Sequence, residues 1–207
     1  MTDPLAPYRW LEAVAEGRDN LLGDIFCVSF FRRHDPVEVL ARFGPAEPSE
    51  MPFDELREKV AQFVEETEGG GGGYVGVIQA GDWSVAIELW GWQATLPEIL
   101  AGLSQGCEVV VVGRHDYAEH SFVYAIDGEV VTGFSPYWPD TRWGSHPDRL
   151  NELIHEVGLP LQAVDEEWEV IRRGYADGIS RVFWLADKIT GVVFTPSILD
   201  GPLLVIA

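Results

Sequence analysis

Long apolar runs are absent. No stretch approaches the roughly 18 residues that a membrane span needs. Basic residues are scarce: 14 lysines and arginines stand against 34 acidic residues, for a formal net charge of −20. Such a field repels nucleic-acid phosphates and anionic membrane, so neither is expected as a partner, and it attracts cations or basic protein surfaces. Cysteine is limited to Cys27 and Cys107. Both sit in apolar, strand-like runs where buried free thiols are common, and a disulfide framework is not expected. Met1–Pro7 lacks a basic region followed by an apolar run, so no signal peptide is read there and a cytoplasmic location is expected.

Catalytic signatures are also missing. The glycine run Gly69–Gly73 carries no lysine and leads into a strand, which excludes a phosphate-cradling loop and reads as a linker. Gly102-Leu103-Ser104-Gln105-Gly106 has the letters of a nucleophile elbow, but Ser104 closes a helix instead of joining strand to helix. Neither cysteine has a cationic neighbour in sequence, and an apolar setting raises a thiol pKa. Carboxylates are so abundant that no pair stands out. No catalytic residue and no cofactor are assigned.

What is present is a globular composition, 46% hydrophobic and 23% charged, enough for one sizeable core. Tyr8–Glu16 reads as a helix and Ile25–Arg32 as a buried strand. Asp35, Pro36 and Glu38 form a capping box with proline in the first turn, and the helix ends at Gly44. After a proline- and glutamate-rich connector, Phe53–Glu66 is an amphipathic surface helix. Tyr74–Ala80 and Trp83–Trp90 form a hairpin across Gly81-Asp82, its second strand half-buried. Thr95-Leu96-Pro97-Glu98 reads as a second capping box, for a helix stopping at Gly106.

Cys107–Val112 is a central strand. Ser121–Ile126 and Glu129–Phe134 alternate about Asp127-Gly128, a strong hairpin signal. Ser135–Trp143 follows as an aromatic-proline loop, and Ser145 is placed as the cap of a helix that buries Leu150, Leu153, Ile154 and Val157. Asp165–Arg173 and Ser180–Ile189 read as two helices. Thr195-Pro196-Ser197 starts a short turn, and Leu203–Ile206 is a short strand or a docked tail. The expected fold is α+β: a mainly antiparallel sheet of five or six strands with helices packed on it. One domain is expected over residues 1–207, with a helix-rich part (1–68), the glycine linker (69–73), then the sheet core and C-terminal helices (74–207).

This succession resembles a family of uncharacterised proteins from Streptomyces and related actinobacteria, classed as a domain of unknown function. The resemblance rests on Cys27–Phe31 followed by Asp35-Pro36-x-Glu38-x-Leu40, on the strand with Trp83, and on Ile126-Asp127-Gly128-Glu129-Val130-Val131. It continues through Phe134-x-Pro136, Gly144-Ser145-x-Pro147-Asp148, Thr190-Gly191 and Thr195-Pro196. It implies a shared fold and carries over no activity.

Two stretches hold the candidate functional residues. His115-Asp116-Tyr117-Ala118-Glu119-His120 holds four potential metal ligands in six residues. Its histidines are five apart in a turn, not i, i+4 on a helix, so His115 and His120 are weak ligands and no metal is assigned. His34, His146 and His155 are isolated. Trp83, Trp90, Trp92, Tyr137, Trp138 and Trp143 cluster on strand ends and loops, where such rings either cap a core edge or anchor a partner. Pro136 and Pro139 stiffen Tyr137-Trp138. The favoured expectation is a non-catalytic, acidic interaction protein, regulatory or immunity-like, that binds a basic protein partner. Its surface comprises Tyr137, Trp138 and Trp143 with Asp116, Glu119 and Asp140. The alternatives are a small-molecule binder or hydrolase with an aromatic pocket, and a DNA mimic with carboxylates in phosphate-like rows. No oligomeric state is implied.

Overall fold

A strand that is apolar on both faces has to be covered on both sides. Ile25–Arg32 (IFCVSFFR, β1) is such a strand, buried from Ile25 through Phe31. The computed structural model describes residues 3–16, 21–115, 120–162 and 167–207. In it β1 is the middle strand of a nine-stranded sheet. The others are β2 (Ser49–Met51), β3 (Val75–Ala80), β4 (Trp83–Leu89), β5 (Glu108–His115), β6 (Ser121–Ile126), β7 (Glu129–Ser135), β8 (Trp138–Trp143) and β9 (Leu203–Ile206). The order is β2-β9-β3-β4-β1-β5-β6-β7-β8, and every neighbouring pair is antiparallel. The fold is thus mixed helix and sheet, with nine strands where five or six were expected. The additional strands arise where sequence pattern is weakest: β2 in the proline-rich connector, β8 within the supposed loop Ser135–Trp143, and the C-terminal β9 inserted between β2 and β3.

Register shows how both faces close. One lateral row runs Ser49, Val205, Gly76, Ile87, Val28, Val112, Phe122 and Phe134. This face packs against α2 (Phe53–Glu66) through Phe53, Leu56 and Val60, and against α5 (Glu167–Thr190) through Val182, Phe183 and Ala186. Gly76 permits close approach, since a Cβ there would lie 2.9 Å from side-chain carbons of both Leu56 and Leu203. The adjacent row runs Glu50, Leu204, Val77, Ala86, Ser29, Val111, Val123, Gly133 and Trp143, from one sheet edge to the other. That face carries α1 (Pro36–Phe43) and α3 (Pro97–Leu103), which contribute Val39, Leu40, Leu100 and Leu103 to a second core. Strand β4 is buried along its whole length, not on one face only.

Local signals differ in outcome. The α1 capping box forms: the Glu38 amide donates to the Asp35 carboxylate at 2.9 Å and the Asp35 amide to the Glu38 carboxylate at 3.0 Å. Asp127 and Gly128 both adopt left-handed φ (49° and 83°), as a two-residue hairpin turn with the right twist requires. The box expected at Thr95 does not form. Leu96 stands at the cap without a side-chain bond, and the Thr95 hydroxyl instead donates to the Trp92 carbonyl at 2.7 Å. Ser145 caps no helix. Its amide donates to the Val130 carbonyl at 3.0 Å, and α4 (Asn151–Glu156) starts after Leu150. The two C-terminal helices are one, α5, although residues 165 and 166 of the expected span lie outside the described residues. The first helix is a 3-10 helix, Ala6–Glu16, fastened to α5. The Tyr8 hydroxyl donates to Asp187 at 2.7 Å, and the Ser180 amide donates to Glu12 at 2.8 Å. The glycine run is packed at its end: the Gly72 amide donates to the Trp90 carbonyl at 3.1 Å.

Glu88 is a charged type inside this core, 1% exposed on β4 opposite Cys27. Its carboxylate accepts the amides of Gln93 (2.7 Å) and Ala94 (3.1 Å), at the start of a short 3-10 turn. Burial pushes its pKa up, and the two amides oppose the shift. The folded state therefore holds this proton more tightly than the unfolded chain. The resulting stability is complete below the ordinary carboxylate range and is lost as pH rises through the raised value. Denaturant midpoints measured from acid to neutral pH are expected to show this decline in the native chain and its absence in Glu88→Gln. Glu88→Ala, which strands two buried amides, is expected to cost roughly 1–3 kcal/mol for each of them. Asp35→Ala is expected to cost about 1 kcal/mol by loss of the cap, read from the same unfolding curves.

Candidate functional site

The stretch Ser135–Trp143 folds as a hairpin return with β8 at the sheet's edge. Ser135 pairs with Trp138 and Gly133 with Trp143. The Tyr137 amide donates to the Ser135 hydroxyl at 3.4 Å across the turn. Pro136 and Pro139 are buried, so the turn is stiff and anchored, while Trp138 and Asp140 are half-buried. Trp143 is 47% exposed. Its position follows from Gly133: a Cβ there would fall 2.5 Å from indole carbons, so the missing side chain is the seat on which the ring lies. Covering a strand glycine with a cross-strand aromatic in this way supports the sheet.

Arg142 holds β8 from below. Its guanidinium donates to the carbonyls of Pro139 (2.7 Å) and Leu161 (3.3 Å) and pairs with Asp148 at 3.0 Å. Hydrogen bonds from Arg142 and Asn151 hold the Asp148 carboxyl below its usual range. The Asp140 carboxylate has no partner among the described residues. The outer edge of the sheet therefore presents a half-exposed indole seated on Gly133 and, elsewhere on the same strand, the half-buried Asp140.

His120 and, through it, His115 lie next to this corner. The His115 amide donates to His120 Nδ1 at 3.3 Å, so the two histidines meet despite their five-residue spacing. His120, mostly buried, lies against Tyr137 with ring centroids 4.8 Å apart, and His115 lies against Trp92 at 5.5 Å. Asp116 and Glu119 lie outside the described residues, so their place beside Asp140 is not described. Among the described residues, no group of three or more His, Cys, Asp or Glu is placed to hold a metal ion.

Ser104 is fully buried. Its hydroxyl donates to the Leu100 carbonyl at 2.8 Å and accepts the Gly128 amide at 3.2 Å, which commits it to structure. Cys27 is completely buried, and burial together with the Glu88 carboxylate raises its thiol pKa well above the ordinary value. Cys107 is raised as well, by burial above all, although Arg42 opposes the shift. Neither thiol is activated toward nucleophilic attack. Sequence reasoning passed over Gly133 and Glu88. A glycine inside a β-branched run signals close approach of another group, which is the trace Gly133 left. Glu88 left no trace, because an alternating strand assigns it to solvent.

Over 94 residues the chain is 35% identical to the tRNA modification GTPase MnmE of Marinomonas sp. (strain MWYL1), which covers 41% of this chain and 19% of that protein. The chain's lysines, Lys59 and Lys188, follow Glu58 and Asp187, so it has no Gly-Lys pair of a phosphate-binding loop. No solved structure matches the chain. Among the described residues no helix is long and apolar enough to cross a membrane. The model of one family, described as a family of unknown function (DUF6461), matches residues 1–202, and the chain belongs to that family.

Proposed function

We propose that this chain is a non-catalytic, acidic interaction protein of the cytoplasm, regulatory or immunity-like and of actinobacterial type. It binds a basic protein partner through the β8 corner. The observation that carries the reading is Trp143, an indole seated on Gly133 with 47% of its surface exposed. Ordering such a ring on binding loses little entropy, because it is already held. The net charge of −20 accelerates encounter with a cationic surface, and Asp140 supplies a local charge for it. Pro139 lacks an amide hydrogen and its carbonyl accepts from Arg142, so β8 is a poor template for strand addition. The partner docks on side chains, with Trp143 and Trp138 as anchors.

A second reading, a small-molecule binder with an aromatic pocket, draws support from the meeting of His115, His120 and Tyr137. The DNA-mimic reading draws none from α2, where Arg57 and Lys59 interrupt the exposed carboxylates.

The test uses immobilised full-length chain and lysate of its source, followed by titration with any purified basic protein retained. Trp143→Ala is expected to weaken that complex by about 2 kcal/mol or more, as loss of a central aromatic anchor does. Asp140→Lys is expected to slow association and flatten its salt dependence. Gly133→Ala keeps the indole but removes its seat, and should also weaken binding. Equal affinity across the wild type and all three variants rejects the proposal.

A further inference from the structure

At the Arg32 end of the sheet, the C-terminus of β1 and the start of β5 border a groove of about 370 Å³. Arg32, Arg33, His34, Cys107, Glu108 and Asp127 are among its lining residues. The volume falls within the range of small-molecule sites. His115, at the other end of β5, pairs with Ile25, so this groove lies at the opposite strand ends from His115.

Most charges in the groove are already satisfied. Arg32 donates to Glu108 at 2.7 Å and lies 5.9 Å from the Trp83 ring centroid. The second Glu108 oxygen accepts the Tyr124 hydroxyl at 3.3 Å. Asp127 accepts the Gly106 amide at 2.9 Å. Arg42 Nη2 lies 3.1 Å from His34 Nε2. Since a guanidinium only donates, Nε2 is the acceptor, and His34 Nδ1–H then donates to Glu38 at 3.2 Å. Both ring nitrogens of His34 are therefore occupied. Arg42 also donates to the carbonyls of Leu103 and Gln105.

Arg33 stands apart. Its side chain is exposed and its guanidinium has no partner among the described residues. Its backbone is left-handed, φ 59°, a conformation that glycine or asparagine adopts more readily than arginine. The Arg33 amide is pinned in that geometry by the Asp82 carbonyl at 2.8 Å. A chain short of basic residues thus holds an unneutralised guanidinium in a strained position, over a groove in which both Glu108 oxygens and one Asp127 oxygen are occupied. Backbone strain of this kind gathers at ligand clamps.

We propose that this groove is a binding site for a small molecule bearing an oxyanion, a carboxylate or a phosphate, with the Arg33 guanidinium as its anchor. The fork of N–H groups takes two oxygens of either anion. Ile126, also on the groove wall, receives the uncharged remainder of the ligand.

The experiment is a titration of the ¹⁵N-labelled full chain with inorganic phosphate and, separately, with benzoate, at ionic strength held constant by chloride. Saturable shifts are expected at the amides of Arg33, His34, Gly106 and Cys107 with at least one of the two anions. The tighter anion identifies the class. In Arg33→Ala, with the rest of the spectrum unchanged, affinity is expected to fall by about tenfold or more, the loss of a charged hydrogen-bond pair. Arg33→Gly relieves the left-handed strain, so it is expected to melt at a higher temperature than the wild type while failing to bind. No saturable shift in the wild type with either anion, or equal affinity in Arg33→Ala and Arg33→Gly, overturns the proposal.

Discussion

The structure depends on the burial of β1 on both faces. Phe26, Val28 and Phe30 face the core beneath α2 and α5, while Cys27 and Phe31 face the core beneath α1 and α3. A strand with one polar face would have tolerated a two-layer protein. This one demands a helical layer on each side, and it must sit where both layers are thickest, at the middle of the sheet. Strands β4 and β5 flank it and are buried along nearly their whole length for the same reason. The chain's remaining hairpins extend the sheet outward from that core, and burial declines toward β2 and β8.

The lateral row that ends in Trp143 shows how the second layer is fitted. Ala86, Ser29 and Gly133 are small, so helices and rings approach the sheet closely on that face. Beneath α1 and α3 the space is filled by leucines from those helices. At the edge, one indole fills it. Trp143 thus does locally what a helix does elsewhere, but it covers from a single strand and leaves half of itself in solvent. The exposed aromatic is a consequence of sheet completion, and the Gly133 seat fixes its geometry.

Features set by neighbours in sequence were legible: the Asp35 capping box, the Asp127-Gly128 turn, and the limits of Phe53–Glu66. Features decided by distant partners were not. Thr95 and Ser145 have capping chemistry, but Trp92 and Val130 offered them backbone partners, and tertiary context overrides a local preference. Helix α5 read as two because glycines at 174 and 178 interrupt its periodicity. Strand β8 was hidden because Pro139 and Asp140 depress strand propensity, while its pairing with β7 is supplied by the adjacent hairpin. For the candidate site, the sequence placed Tyr137, Trp138, Asp140 and Trp143 in one segment. It could not show that His120 would meet Tyr137, nor that Gly133 would seat the indole, since both are contacts across strands.

The charge imbalance acquires a structural meaning from how arginines are used. Arg42, Arg114, Arg142 and Arg181 each direct guanidinium N–H groups at main-chain carbonyls: those of Leu103 and Gln105, Leu11, Pro139 and Leu161, and Val157. These bonds fasten loops and helix ends to one another. The planar fork suits this work, and an ammonium would serve it less well. Cations drawn inward in this way screen few of the carboxylates that remain in water, such as those along the outer side of α2. The field met by an approaching molecule is therefore acidic over most of the surface. Against that background the half-exposed Trp143 forms a distinct feature at one corner, and Arg33 forms another at the far end of β1.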